Sequence, residues 1–186
     1  MSVRRVVPAD AEFINAHWRD VTDEDLIRLG ELGRPDPIAN IEFINWFCNT
    51  PNAPILAAED LRIWCADGVA IGYSTLKDFT EKGTVQIHLH LTRPYWRMGF
   101  GSVLFCMSAL EFIFAFKLER LYCQPKSDNA MPNGMLSKIG FKAVGAVECQ
   151  RSNGSSILQT RYLIDIETAK CFLNATNAPG TTTIAR

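Results

Sequence analysis

The stretch from Thr92 to Ser102 has the residue types of an anion-binding turn. It follows a run in which apolar and polar residues alternate and leads into a long apolar segment, which predicts a strand, a turn and a helix. Gly99 and Gly101 would let a ligand approach the backbone closely. The unpaired N–H groups at the start of the helix favour an anion there. We therefore predict a phosphate-binding turn, with an ordinary tight turn as the alternative.

Two common phosphate motifs do not match this turn. The dinucleotide-binding fingerprint needs a third glycine three residues after Gly101, where this chain has Leu104. A P-loop needs Gly-Lys followed by Ser or Thr, and the sequence contains no such run. A second motif is therefore needed to identify the anion.

That second motif extends from Asn129 to Phe141, about thirty residues beyond the turn. It begins with asparagine and ends in Gly-Phe, and Asn129 and Gly140 are eleven positions apart. Together with Trp96 to Gly101, it resembles the GNAT superfamily of acyl-CoA-dependent N-acetyltransferases, whose turn reads Gln/Arg-x-x-Gly-x-Gly/Ala. The Tyr-Trp pair before the glycines and Leu136 in place of a tyrosine look most like the branch that includes the ribosomal-protein alanine N-acetyltransferases. The resemblance covers roughly residues 61–166.

The resemblance implies acetyl-CoA as co-substrate, with no metal, and a set of residues that bind it. Backbone groups of Leu89 and Leu91 would pair with the pantetheine arm as an added strand does. The Asn129 side chain would hydrogen-bond pantetheine, the alternative being an ordinary helix cap. The turn would hold the pyrophosphate through the backbone N–H groups of six residues, and the Arg97 guanidinium would add a positive charge. These six residues are Arg97, Met98, Gly99, Phe100, Gly101 and Ser102.

The catalytic residues are less determined, because the chain departs from the family pattern where they usually stand. Leu136 replaces a tyrosine that protonates the leaving thiolate, and Pro132 replaces a serine common in the related branch. Gln86 and Gln124 stand where carboxylates are frequent. An amide cannot act as a base, but it can orient a water molecule, so Gln124 is kept as a candidate.

His88 and His90 are the candidate general bases, since an imidazole titrates near neutral pH. On a regular strand both side chains lie on the face opposite the neighbouring leucines, and a bulge would change this arrangement. The alternative is that both are ordinary strand histidines. Lesser candidates are Ser137 and Cys123 as proton donors, and His17 near an acceptor pocket.

The elements that must position these residues follow from periodicity and from turn residues. Thr22 can cap the second predicted helix, and Gly140 is well placed to end the last one in the left-handed conformation. Their mixed order predicts the α+β (mixed α/β) class. The resemblance implies a GNAT-like fold with a central twisted mixed sheet of about six to seven strands flanked by helices. The predicted strands cover 3–7, 61–65, 69–76, 84–91, 120–124, 142–150 and 156–166, and the predicted helices 10–18, 23–32, 38–47, 101–117 and 130–138.

Composition limits the class of protein and its partners. The 186 residues suit one domain, and 47% hydrophobic with 21% charged residues can bury a core. The net charge of −1 without a basic run speaks against tight nucleic-acid binding. Six cysteines without a Cys-x-x-Cys pair indicate reduced thiols. With neither a signal peptide nor a membrane-spanning run in the sequence, we expect a cytoplasmic protein and no membrane partner.

These observations lead to one leading hypothesis and two alternatives. The first is an N-acetyltransferase that moves acetyl from acetyl-CoA to a primary amine, either a protein N-terminus or a small molecule, by direct attack. The second is a catalytically silent acyl-CoA-binding or sensor domain, and the third is a structural domain in which the glycine turn binds nothing. We expect one domain over residues 1–173, a polar C-terminal tail over 174–186, and a possible homodimer.

Overall fold

The computed structural model describes residues 1–49, 60–77, 84–118, 120–151 and 153–177. Within these ranges the strands are β1 (Ser2–Arg5), β2 (Leu61–Ala66), β3 (Val69–Lys77), β4 (Thr84–Leu91), β5 (Arg120–Cys123), β6 (Lys142–Gln150) and β7 (Ser156–Ile164). The helices are α1 (Ala11–Asp20), α2 (Asp23–Leu29), α3 (Pro37–Asn49), α4 (Phe100–Phe116), α5 (Ala130–Ile139) and α6 (Ile166–Asn177). The mixed α/β class predicted from the sequence is confirmed.

The strands form one sheet in the order β1-β2-β3-β4-β5-β7-β6. Neighbours are antiparallel except β4 and β5, which are parallel. The parallel pairing is short, because it joins residues 84–86 only to residues 120–122. Beyond Gln86, strand β4 continues to Leu91, and none of the described strands lies beside this part of it on the β5 side. The sheet therefore opens between β4 and β5, and the edge of β4 faces this gap.

The core lies on both faces of the sheet and follows the alternation of the strands. Val85 and Ile87 are 1% exposed and pack in a cluster with α4 and α6, as the alternating pattern of β4 predicts. A second cluster joins α1 and α3 to β2 and β3 and contains Ile44 and Phe47 of α3. Within α3, Ile44 and Phe47 are therefore the inward residues, and Ile41 is exposed.

Local capping signals are realised where the sequence predicts them. The Thr22 hydroxyl accepts a hydrogen bond from the Asp25 N–H at 3.1 Å, which caps α2. Gly140 ends α5 in the left-handed region, with a φ of 105°. Helix α2 ends at Leu29, before the predicted limit of residue 32, because Gly30 adopts a φ of 85° and reverses the chain.

The sequence reading missed helix α6. It extended β7 to residue 166, whereas the strand ends at Ile164 and a helix follows. Asp165 accepts a hydrogen bond from the Thr168 N–H at 2.8 Å, and Ala169 is fully buried in the cluster with α4. The helix continues to Asn177, so residues 174–177 of the predicted tail belong to α6, and its remaining residues, 178–186, lie outside the described residues.

Candidate functional site

A cleft of about 460 Å³ occupies the opening between β4 and β5. Its walls come from the exposed edge of β4, the loop from β4 to α4, the start of α5, and the residues of α1 and α2 that lie across it. This volume suits a small-molecule site. Both histidines of β4 and all of the predicted cofactor residues except Met98 and Phe100 line this one cleft, although they come from distant parts of the chain.

The glycine turn begins α4 in the manner predicted. Gly99 is the N-cap residue, has a φ of 84° and offers no side chain to the first N–H groups of the helix. A Cβ at Gly99 would meet no atom within 4 Å, so the glycine serves the backbone conformation and leaves open space. Arg97 also has a positive φ, of 62°. Of the turn residues, the cleft is lined by Arg97, Gly99, Gly101 and Ser102, while Met98 and Phe100 lie outside its lining.

Leu89 and Leu91 present the edge of β4 to the cleft. The Leu91 carbonyl already accepts a hydrogen bond from the Trp96 indole N–H at 2.6 Å. Trp96 stands at the position where the family pattern has Gln or Arg. Its hydrogen bond attaches the glycine turn to the end of β4. A carbonyl oxygen has a second lone pair, and the Leu91 carbonyl keeps one for a ligand.

Two arginines lie over the Trp96 ring and share one carboxylate. The Arg28 and Arg93 guanidinium carbons lie 4.9 and 5.4 Å from the ring centroid. Both guanidinium groups also bind the Asp25 carboxylate, at 3.0 and 2.5 Å. Burial alone would raise the pKa of Asp25, but hydrogen bonds from Thr22, Arg28 and Arg93 lower it. Asp25 is therefore ionised and engaged, and it ties α2 to the glycine turn.

Asn129 is 4% exposed, precedes α5 and lines the cleft. Its side chain makes no capping hydrogen bond to the helix. Its Oδ1 atom lies 3.5 Å from the Arg28 Nη1 atom, a long contact. The side-chain amide therefore retains hydrogen-bonding capacity toward the cleft, as the predicted pantetheine contact requires.

His88 and His90 both line the cleft, on the sheet face opposite Val85 and Ile87. The Nε2 atom of His88 is buried and has no hydrogen-bond partner among the described residues. Burial, with a smaller effect from Lys77, lowers the pKa of His88 to about 4. The imidazole is therefore neutral at physiological pH, but so low a pKa makes it a weak proton acceptor, and its role as general base stays a prediction.

His90 lies in an aromatic cluster that also includes His17, Trp18 and Tyr73. Its ring stacks on Tyr73 with centroids 4.7 Å apart, and the centroids of Trp18 and His17 lie 4.9 and 5.6 Å away. Burial holds the pKa of His90 well below its usual value and also lowers that of His17. His17 lines the cleft as well. Only its burial in the fold, rather than any pattern in the sequence, distinguishes it from a surface histidine.

The other predicted catalytic residues have different surroundings. Gln124 lines the cleft, but its amide is bonded on both sides: its oxygen accepts from Arg161, and its nitrogen donates to Gln86 at 3.0 Å. Ser137 is exposed, lies outside the cleft lining and has its hydroxyl 3.3 Å from that of Tyr162. Their catalytic roles stay predictions.

Two further positions carry no reactive group in a usable state. Burial raises the pKa of Cys123 to about 12, so this thiol is protonated at neutral pH and a poor nucleophile. Leu136, where many family members have a tyrosine, is 0% exposed and packs in the core. In the part of the chain that the structure describes, no three metal-binding side chains come together, and no helix is long and apolar enough to span a membrane.

Comparison with sequence families identifies the class of protein. A sequence model of the acetyltransferase (GNAT) domain matches residues 1–142, and this chain belongs to that family. The curled seven-stranded mixed sheet with its helices is the GNAT fold, as the resemblance implied. No curated protein matches the sequence.

Several solved structures share the fold at low sequence identity. A ribosomal-protein-alanine N-acetyltransferase from Brucella melitensis has a TM-score of 0.68 and 14% identity, covering 88% of this chain and 99% of that one. A spermidine N-acetyltransferase from Vibrio cholerae, in complex with CoA and spermine, has a TM-score of 0.72 and 15% identity, covering 91% and 97%. The Salmonella typhimurium protein yncA, with its cofactor acetyl-CoA, has a TM-score of 0.64 and 15% identity, covering 89% and 94%.

Proposed function

We propose that this protein transfers an acetyl group from acetyl-CoA to a primary amine, by direct attack of the amine on the thioester. The observation that carries the proposal is that the open edge of β4 leads directly into the glycine turn at the start of α4, within one cleft. An extended arm can pair with the strand edge while an anion lies on the helix N-terminus. Solved structures with this fold hold CoA and acetyl-CoA.

The cofactor would lie along the predicted residues. Pantetheine would pair with the backbone of Leu89 and Leu91 and receive a hydrogen bond from Asn129, and the pyrophosphate would lie on the N–H groups from Arg97 to Ser102. The Arg97 guanidinium, which forms no ion pair with any carboxylate in the described ranges, would add charge complementarity. No metal is needed for this chemistry.

The proton steps can be assigned to groups in the cleft. The amine nitrogen attacks the thioester carbonyl carbon, the new C–N bond forms, and the C–S bond breaks to release the CoA thiolate. The amine gives up its proton to neutral His88 or His90, directly or through water, and the thiolate later takes up a proton. Holding amine and thioester together supplies much of the acceleration, on the order of 7–11 kcal/mol in favourable cases, so a strong acid at Leu136 is not required.

A calorimetric titration with acetyl-CoA and with CoA tests the cofactor site. We expect micromolar binding by the parent and at least tenfold weaker binding by Gly99→Asp, because the new carboxylate would lie against the pyrophosphate. Gly154→Asp is the matched control, since Gly154 also has a φ near 80° and open space around it, in the turn between β6 and β7. Equal affinity in the two variants would contradict the phosphate assignment.

The second candidate function is acyl-CoA binding without turnover. The burial of Leu136 in the core and the exposed position of Ser137 outside the cleft favour it, because neither offers a proton donor at the thiol. Consumption of acetyl-CoA in the presence of amines, including peptides and polyamines, separates the two functions. Turnover above the rate without amine supports the enzyme, and binding without turnover supports the sensor.

The acceptor, location and assembly are parts of the same proposal. A protein N-terminus or a small amine is supported by neighbours described as ribosomal-protein-alanine and spermidine acetyltransferases. A cytoplasmic location is consistent with six free cysteines. Association into a homodimer is a prediction that sedimentation of the purified chain would test.

A further inference from the structure

Three glutamines line the same cleft, one on β4, one directly after β5 and one on β7. Gln86, Gln124 and Gln159, called here the glutamine array, lie on the face opposite the α4 core. The Gln124 nitrogen donates to the Gln86 oxygen at 3.0 Å and to the Gln159 oxygen at 3.4 Å. The glutamine array joins β4 to the end of β5 at the point where the sheet opens between them.

Arg161 fixes the direction of every hydrogen bond in the array. Its Nε–H donates to Gln124, and a guanidinium can only donate, so the Gln124 oxygen must face it. The Gln124 nitrogen must then point toward the other two glutamines and meet their oxygens. The Gln159 oxygen also accepts from the Cys149 thiol at 2.9 Å.

The consequence is a pair of directed donors. The side-chain NH₂ groups of Gln86 and Gln159 make no hydrogen bond to any described residue, and both side chains line the cleft. Arg161 pairs with no carboxylate in those ranges, so its charge polarises the array. Such donors suit the oxygen of a carbonyl or carboxylate group and repel a second cationic amine.

The charges around the cleft agree with this selection. Among the described residues that line it, the carboxylates are those of Asp25 and Glu31. Asp25 is already paired with Arg28 and Arg93, and Glu31 is exposed at the rim. The histidines of the cleft are neutral because burial lowers their pKa values. A polyamine would therefore leave several positive charges without partners.

We infer that the acceptor is an α-amino acyl group, that is, an amine whose neighbouring carbon carries a carbonyl or carboxylate. The side-chain NH₂ groups of Gln86 and Gln159 donate hydrogen bonds to the oxygen of that group. The inference rests on the proposed transfer to an amine and names the chemical class of that amine. A free amino acid and a peptide N-terminus share this chemistry. Gln86 and Gln159 act here as specificity-determining residues for the acceptor, and they are separate from the glycine turn that would bind the cofactor.

The test compares two amines that differ in the carbonyl group. Alaninamide and isopropylamine carry the same amine carbon and methyl group, and only alaninamide offers an oxygen. We expect kcat/KM, expressed per free-base amine, to be on the order of a hundredfold larger for alaninamide than for isopropylamine, since unpaired polar groups in a site reject such an analogue. In Gln86→Met and in Gln159→Met, each made separately, this preference should fall at least tenfold.

Gln150→Met is the matched control, because Gln150 is exposed on β6 and lies outside the cleft. At neutral pH alaninamide, the weaker base, has the larger fraction of free amine, and expressing kcat/KM per free-base amine removes this difference. The difference is also the same for every variant at one pH, so a fall of the preference in the array variants does not arise from it. Free alanine and an alanyl peptide distinguish the sources of the acyl group, and spermidine tests the exclusion of polyamines. An unchanged preference in both array variants, or faster acetylation of spermidine than of alaninamide, would overturn the inference.

A binding measurement separates this inference from the proposed function. Alaninamide and isopropylamine are titrated into the protein saturated with CoA, where no turnover occurs. At least tenfold tighter binding of alaninamide, lost in Gln86→Met or Gln159→Met, supports recognition of the carbonyl oxygen by these glutamines even if no amine is acetylated. Equal binding of the two amines, or binding of neither, overturns the inference that these glutamines recognise the acceptor oxygen, whatever the activity with acetyl-CoA.

Discussion

A histidine nitrogen buried without a hydrogen-bond partner is costly, and the Nε2 atom of His88 finds none among the residues that the structure describes. The imidazole is kept neutral because burial lowers its pKa to about 4, against an ordinary value of 6.5. At neutral pH the unpaired nitrogen can accept a hydrogen bond from a group that enters the cleft. This property depends on the surroundings of the side chain, since His88 in the unfolded chain titrates normally.

The shifted pKa predicts how stability depends on pH. The unfolded chain binds a proton at His88 more readily than the folded protein, so this contribution to stability is fully present above pH 6.5 and is lost as the pH falls toward 4. Between pH 7.5 and pH 5, the parent should lose about 2 kcal/mol more of its free energy of unfolding than His88→Gln does. Urea unfolding at both pH values measures the difference. Equal losses would show that His88 is solvated in the folded state.

At the scale of secondary-structure elements, helix α2 links the two sides of the cleft. Asp25 joins it to Arg93 before the glycine turn, and the Gly30 carbonyl accepts a hydrogen bond from Arg151 at 2.5 Å, near the β6–β7 turn. The turn itself is held to β4 by the hydrogen bond from Trp96 to Leu91. The glycine turn is thereby held in place without a ligand, which would reduce the entropy lost if the proposed cofactor binds there.

Trp96→Phe tests this attachment, because phenylalanine keeps an aromatic ring beneath the two arginines and removes the N–H donor. We expect a loss of about 1 kcal/mol in the free energy of unfolding and several-fold weaker binding of acetyl-CoA. Trp46→Phe on α3 is the control, since Trp46 is 43% exposed and outside the cleft. If both variants unfold and bind alike, the hydrogen bond does not hold the turn.

At the scale of the whole molecule, the two sheet faces have separate tasks. Helices α4 and α6 cover the face with Val85 and Ile87. On the opposite face, β4, β7 and the residue that follows β5 present histidines and glutamines to the cleft. Helix α6 contributes fully buried Ala169 to the first face. Changes there should therefore affect stability and leave the cleft intact.

Ala169→Asp tests this separation. A carboxylate forced into the interface between α4 and α6 should cost on the order of 3 kcal/mol of stability. Asn174→Asp, at an exposed position of the same helix, should cost little. Thermal unfolding measures both, and below the transition the affinity for acetyl-CoA should match that of the parent. A stable Ala169→Asp variant would show that α6 does not pack as described.

The extent of prediction from sequence can be judged from particular elements. The β4 alternation, the Thr22 cap and the Gly140 cap were predicted correctly, because each depends on neighbours within a few residues. Helix α6 was missed although Ile166, Ala169 and Leu173 have helical spacing, since the strand pattern of β7 was extended through its first residue. The helical spacing of α6 was therefore visible in the sequence, but the strand pattern of β7 was given more weight.

The sequence by itself determined the family, the glycine turn and the placement of two histidines on one strand, because these follow from short-range spacing. The tertiary structure alone decided what surrounds them. Arg28 meets Asn129 across 101 positions, and Arg161 orients Gln124 across 37. Burial and charge pairing set the pKa values, the hydrogen-bond directions and the selectivity of the cleft, and they arise only when distant segments pack together.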